Sequence, residues 1–265
     1  MVTRFESVLP KLTRVDADTP LRGRTIDRVE ARGKHLLIWF SGDLVLRTHM
    51  RMNGSWHIYR PGERWQRPHR DMRIVIETPT MHAIAFTVPV AEFVTSHELE
   101  NHAVVGDLGP DPLTETFRAE DAIARMQAHG DVAIADVLLD QSVISGIGNV
   151  FKSEVLFGAR INPFVPVSAL TREQLAAIVN VATRFMRANV GTAVVSGFGR
   201  TSGMRRTTGR TDPSARLWVY GRAGQPCRRC GTPIARRKQG SFARSTYWCE
   251  KCQSVTEVPK VPRVP

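Results

Sequence analysis

The stretch QSVISGIGNVFKSEVLFGARINP (residues 141–163) changes character in its middle. The first half carries Gly146 and Gly148 and no acidic side chain; the second, over residues 149–158, reads as an apolar helix. Glycines let a backbone approach a ligand closely, and the free N–H groups at the start of the following helix attract an anion. Asn149 stands at that start. Its side chain can donate to a phosphate oxygen or cap the helix, and capping is the commoner use of asparagine there. The residues alone leave both roles open.

Working outward, helical spacing dominates this part of the chain. Residues 116–129, 132–139 and 171–188 are expected as further helices. Thr171 and Gln174 form a capping-box pair at the start of the last, with Leu175, Ile178, Val179 and Ala182 behind them at helical period. Upstream, Leu108-Gly109-Pro110-Asp111-Pro112 reads as a linker. Before it, six short runs rich in β-branched and aromatic residues, at 26–31, 35–40, 44–48, 55–59, 73–77 and 83–87, predict a β-sandwich or flattened barrel.

Downstream, all four cysteines fall in one segment, as Cys227, Cys230, Cys249 and Cys252. The pattern C-x2-C-x18-C-x2-C lies in the spacing range of a zinc site. Four thiolates make a closed tetrahedral site with no position for substrate, so one structural Zn2+ holding a β-hairpin is expected. Disulfides are the weaker reading, because no secretory leader pattern or scattered cysteine framework accompanies them.

The charge is segregated. The whole chain carries a formal +12, and residues 195–265 hold 12 Arg and 3 Lys against three acids, 15 − 3 = +12, so the rest sums to zero. Such a footprint suits a polyanion, and arginine suits bidentate phosphate contact. No apolar run of membrane-spanning length and no basic amphipathic helix is present, which favours nucleic acid over a membrane. Arg236, Arg237 and Lys238 either add phosphate attraction or form a solvated patch.

GIGNVFKSEVLF followed by RINP resembles the helix-two-turn-helix motif of the formamidopyrimidine-DNA glycosylase/endonuclease VIII family. RGKHLL (residues 32–37) and HMRMNGSW (49–56) are similar to its β-domain motifs, LGPDPL to its interdomain linker, and VYGRAGQPCRRCGTPI with RSTYWCEKCQ to its zinc finger. The resemblance implies an α+β multidomain protein. Its parts are an N-terminal β-sandwich over 1–108 lacking the family's first helix, a helical domain over 109–213, a zinc finger over 214–255 and a disordered tail over 256–265. It implies base excision from damaged double-stranded DNA by a glycosylase that also cuts the abasic strand, after flipping the nucleotide out of the duplex. By motif position Arg244 and Asn149 would grip phosphates and Lys34 would be the catalytic lysine. Met52 would fill the hole left by the extruded base, unless it is a sheet-core methionine. Lys152 is a further candidate phosphate contact, and Glu154 a structural residue, as are His35, His49 and His57.

One part of the family pattern is not matched. The family's nucleophile is an N-terminal proline followed by glutamate, whereas this chain opens MVTRFESVLPKL, and Arg4-Phe5-Glu6-Ser7 resembles the segment after the family's first helix. Either the start has been assigned too late, or the chain is a zinc-dependent binder of damaged DNA that no longer excises bases. The shortness of the segment between Val195 and Trp218 leans towards an endonuclease VIII-like member acting on oxidised pyrimidines and abasic sites. A monomer in the cytoplasm, on the nucleoid if bacterial, is expected.

Overall fold

A computed structural model describes residues 1–103, 105–190, 205–210 and 212–254. The expected tail (256–265) and much of the segment between Val195 and Trp218 lie outside the described residues. The chain divides into two compact units, one spanning Met1–Asp107 and the other beginning at Leu108.

The first unit holds β1 (Arg4–Ser7), α1 (Pro10–Asp18), β2 (Ile26–Arg32), β3 (His35–Phe40), β4 (Leu44–His49), β5 (Ser55–Tyr59), β6 (Met72–Glu77), β7 (His82–Phe86), β8 (Val90–Val94) and α2 (Ser96–Glu100). These strands form two four-stranded antiparallel sheets, ordered β1-β6-β7-β5 and β2-β3-β4-β8. Side chains alternate across a strand, and the alternation sorts the core. Ile74 and Ile76 of β6 face the inner layer with Ile38, Phe40 and Leu46 of the other sheet, and α1 adds Leu12. Val75 between them points to the opposite face, where it joins Tyr59, Ile84 and Phe86. The two sheets therefore share one apolar layer, the expected sandwich. The six expected strands are present; β1, β8, α1 and α2 were not foreseen.

The second unit holds α3 (Ala119–Gln127), α4 (Ile134–Val137), α5 (Asn149–Ala159), α6 (Arg172–Val190), β9 (Ala235–Gln239) and β10 (Arg244–Trp248). The Thr171–Gln174 capping box is made, with the Thr171 N–H donating to Gln174 Oε1 at 2.9 Å. Helix α5 is buried all round from Phe151 to Phe157, the signature of a helix enclosed by its own domain. Val155 and Leu156 join the core of α3, α4 and α6, whereas Phe157 packs into a separate cluster with Val219, Cys227, Ile234 and Cys249. So α5 is the wall between the helical core and the four-cysteine hairpin.

Candidate metal centre and nucleic-acid interface

The hairpin pairs β9 with β10 antiparallel, Gln239 opposite Arg244 and Ala235 opposite Trp248. At its open end the sulfurs of Cys227, Cys230, Cys249 and Cys252 all lie within 4.8 Å of one another, with Cys227–Cys252 at 3.9 Å and Cys230–Cys249 at 3.4 Å. A tetrahedron with Zn–S bonds of about 2.3 Å has edges of about 3.8 Å, so this set fits one zinc ion. Hydrogen bonds from Thr232 pull the Cys230 thiol down to about 6. Burial pushes Cys252 up to about 12, and the neighbouring sulfurs add to that rise. Four thiolates at this spacing need a cation among them.

A buried glutamine that sequence reading passed over anchors the second Cys-x-x-Cys turn. Gln253 Oε1 accepts from the Cys249 N–H at 2.9 Å and its Nε2 donates to the Ile161 carbonyl at 2.8 Å. Asn162 Nδ2 donates to the Gln253 carbonyl at 3.0 Å. The RINP segment after α5 thus serves as the floor of the metal site.

The glycine turn before α5 is held by another unforeseen glutamine. Gln141 Nε2 donates to the carbonyls of Leu139 and Ile147, and its Oε1 accepts from the Gly146 N–H at 3.0 Å. Gly146 has φ +86°, a backbone conformation that favours glycine, and a Cβ there would also push against the Met186 methyl at 2.6 Å. Gly148 is the N-cap of α5, and no side chain caps the helix. Asn149 therefore does not cap. Its Nδ2 lies 3.5 Å from the Tyr220 hydroxyl, and its Oδ1 is buried without a hydrogen-bond partner. Tyr220 was not singled out from sequence, although it stands in the VYGR motif.

Tyr220 in turn packs tilted against Tyr247 of β10, with ring centroids 4.9 Å apart. The loop bearing Tyr220 is fixed by Glu154: its Oε2 accepts from the Trp218 N–H and its Oε1 from those of Val219 and Tyr220, each at 2.8 Å, and Thr207 Oγ1 donates to the same carboxylate. The expected structural role of Glu154 thus has a specific content.

Lys152 requires a correction. It is fully buried rather than turned to a phosphate, and its Nζ donates to Thr246 Oγ1 at 2.8 Å. β10 docks over α5 and covers it; the sequence of α5 alone carries no sign of that cover. Burial lowers the amine from 10.5 to about 8; Asp136 pulls the other way and Arg244 adds to the lowering. Between pH 8 and 10.5 the unfolded chain thus holds more protons than the folded one, and stability rises with pH, by at most about 1.4 kcal/mol per unit. Denaturant unfolding of the zinc-loaded protein at pH 7.5 and 9.5 should show wild type gaining on Lys152→Met by about 2 kcal/mol. Parallel behaviour of the two would mean that the amine is not desolvated.

Arg244 opens β10 and is exposed. Arg236, Arg237 and Lys238 are exposed on β9. Arg237 lies over the Phe164 ring at 3.7 Å and Arg236 lies 5.9 Å from that of Tyr247, so these two are partly engaged in packing.

In the first unit Lys34 sits in the two-residue turn joining β2 to β3, and its charge lowers the His49 pKa, second to burial. Behind it lies a cluster in which His35 and Arg47 are buried and Glu92 and His102 partly so. Arg47 Nη1 is 2.9 Å from His35 Nδ1, Arg47 Nε donates to Glu92 Oε1 at 2.6 Å, and His102 Nε2 is 3.1 Å from the same oxygen. Burial first, then Arg47, holds His35 down at about 4, so it stays neutral at physiological pH. His35 and His49 meet edge to face at 4.9 Å.

Met52 is 88% exposed, at the tip of the turn between β4 and β5. Of its two readings the sheet-core one is excluded; Met50 packs on the core instead. The turn needs Gly54, where a Cβ would lie 2.7 Å from the Met50 carbonyl oxygen.

Comparison with known proteins agrees with this anatomy. The sequence models of the formamidopyrimidine-DNA glycosylase N-terminal domain, of its H2TH domain and of the zinc finger found in FPG and IleRS match residues 2–89, 108–198 and 224–255. The chain is 37% identical to "Probable endonuclease 8 2" of Streptomyces coelicolor, over 96% of this chain and 87% of that one. It is also 37% identical to "DNA-(apurinic or apyrimidinic site) lyase Nei2" of Mycolicibacterium smegmatis, over 96% and 91%. A Lactococcus lactis Fpg solved with DNA containing an abasic site superposes with a TM-score of 0.77 over 96% of this chain and 92% of that chain, at 24% identity. Among the described residues no helix is long and apolar enough to cross a membrane.

Proposed function

The chain belongs to the formamidopyrimidine-DNA glycosylase/endonuclease VIII family, and on that premise we propose that it serves base-excision repair. Its reaction is that of a bifunctional DNA glycosylase and abasic-site lyase on oxidised bases, pyrimidines favoured. The observation that carries this reading is the frame around α5. One buried helix presents Asn149 at its glycine-flanked start, fixes Tyr220 through Glu154 and fixes the zinc hairpin with Arg244 through Lys152. Two amide-and-hydroxyl donors and one guanidinium held by a single rigid element suit a strained phosphate backbone. Rigid placement avoids the ordering cost that a mobile loop would incur on binding. The preference for pyrimidines rests on the endonuclease 8 relatives, 36–37% identical, against 30–33% for formamidopyrimidine-DNA glycosylases.

Lys34, beside His49, handles charge during base release and strand scission, and Met52 occupies the space of the extruded base. The protein acts as a monomer in the cytoplasm, on the nucleoid if bacterial.

A second reading, a binder of damaged or abasic DNA without catalysis, is favoured by one observation. Val2 is buried, and its N–H donates to the Arg24 carbonyl at 2.8 Å. The Val2 nitrogen is a peptide N–H held by the backbone rather than a free amine in the role of the family's proline.

Borohydride reduction in the presence of abasic duplex separates the readings, because it traps an iminium between enzyme and sugar. A polypeptide beginning at Met1 should bind abasic duplex more tightly than intact duplex and give no trapped species. The same polypeptide led by a family first helix opening Pro-Glu should trap. Absence of an adduct from the extended chain would overturn the enzyme reading. Equal affinity of the short chain for both duplexes would overturn the damage-recognition reading as well.

A further inference from the structure

The tip of the zinc hairpin carries an aromatic ring that nothing above uses. Phe242 is 82% exposed, in the turn Gly240-Ser241-Phe242-Ala243 that leads directly into Arg244. Among the described large apolar side chains only Met52 is more exposed. A single exposed apolar residue is ordinary, but this one is held out by a turn braced from beneath.

A Cβ on Gly240 would lie 2.5 Å from Asp136 Oδ1, so the turn's backbone rests against the Asp136 carboxylate of α4. Asp136 Oδ2 accepts from Gln239 Nε2 at 3.2 Å, Gln239 Oε1 accepts from Thr246 Oγ1 at 3.0 Å, and Thr246 Oγ1 accepts from Lys152 Nζ at 2.8 Å. This chain of polar groups pins both strands at the base of the tip. Gly240 and Ala243 take left-handed φ values of +70° and +47°, and the Ala243 N–H donates to the Gly240 carbonyl at 3.0 Å. Ring exposure is thus built into the turn.

The surroundings select the partner. Residues 213–249 contain no aspartate or glutamate, while Arg236, Arg237, Lys238 and Arg244 are exposed on the hairpin. An apolar ring set among cations matches a ligand that is anionic outside and has flat apolar faces within reach, which is the chemistry of a nucleic-acid groove.

We propose that Phe242 is a direct DNA contact, its ring packing on sugar or base faces beside the phosphate that Arg244 grips. This rests on the DNA-binding reading above and adds to it a contact that displaces no counterion. The salt dependence of binding therefore distinguishes the two neighbours.

The experiment is titration of labelled abasic-site duplex with the zinc-loaded full chain, from low to high salt. Phe242→Ser should weaken binding by about tenfold at every salt concentration and leave the slope of log K against log salt unchanged. Arg244→Ala should make that slope shallower by about 1. Phe242→Trp, with a larger ring, should bind at least as well as wild type.

Wild-type-like binding by Phe242→Ser, with wild type itself binding in a salt-dependent manner, overturns the proposal and leaves the DNA-binding reading intact. Failure of wild type to bind overturns that reading first. Unchanged DNA affinity in Phe242→Ser with loss of a concentration-dependent self-association would assign the ring to contact between copies instead. Loss of zinc from Phe242→Ser would show the ring to be part of the fold, and would also overturn the proposal.

Discussion

Removing the zinc with a strong chelator should unfold residues 224–254 and reduce binding of abasic duplex to the non-specific level, while the helical core stays folded. A two-stranded hairpin is at best marginally stable alone in water. This one has little to add: its cluster consists of Val219, Ile234, two buried cysteines and Phe157 borrowed from α5. A structural zinc contributes about 10–16 kcal/mol at neutral pH, comparable to or larger than the whole stability of a typical domain. By contrast, the core made by α3, α4, α5 and α6 holds Ile123, Met126, Val155, Leu156, Leu175, Ile178 and Val179, a cluster separate from that of the cysteines. The far-UV helical signal should therefore survive chelation while DNA affinity collapses, because Arg244 loses its mount and Lys152 its cover. Cys249→Ser should reproduce the result without chelator. Loss of helix and hairpin together would mean that α5 cannot hold its place once the hairpin is gone. Abasic-duplex affinity unchanged by chelation would remove the hairpin from the interface altogether.

Features set by local covalent spacing were legible in the sequence. The four cysteines specify a ligand set wherever the chain goes, and Gly146 and Gly148 announce a turn, of which Gly146 takes the left-handed φ of +86° that favours glycine. Central strands were legible too, since β3, β4, β6 and β7 are paired on both sides and carry near-continuous apolar runs. The two strands not foreseen, β1 and β8, are both edges of their sheets. Edge strands are short and satisfied on one side only, so RFES and VAEFV can carry charge and lose the strand signature.

The polar residues that organise the site were the least legible. Gln141, Gln253, Asp136 and Lys152 are single letters whose meaning depends on partners that are distant in sequence or on packing of other elements. Lys152 and Thr246 are 94 residues apart, and no helical period could place one beneath the other. Met52 was ambiguous because a methionine suits both a core and an exposed tip; its 88% exposure in the folded turn decides it.

Glu154 offers the second large effect. Its carboxylate is fully buried in the middle of an apolar helix, with no basic side chain among its hydrogen-bond partners in the described residues. Three backbone N–H groups and one hydroxyl supply instead the donors that a buried charge needs. Glu154→Ala leaves those four donors facing a cavity. At about 1–3 kcal/mol for each unsatisfied group, lessened where water or relaxation reaches some of them, the net loss should be about 3–5 kcal/mol in denaturant unfolding. Glu154→Gln keeps one acceptor oxygen but turns an amide NH2 against backbone N–H groups, so it should lose part of this and recover none of the charge-assisted strength. Because the same carboxylate fixes the Tyr220 backbone and the Tyr220 hydroxyl lies beside Asn149, the damage should reach function before global unfolding does. At low temperature, where Glu154→Ala is still folded and zinc-loaded, its affinity for abasic duplex should fall at least as far as that of Tyr220→Phe. Stability within about 0.5 kcal/mol of wild type would place the variant among ordinary surface substitutions and deny the carboxylate its clamping role. Lost stability with undiminished affinity would separate the loop's folding from DNA binding, and would leave Asn149 to act without Tyr220.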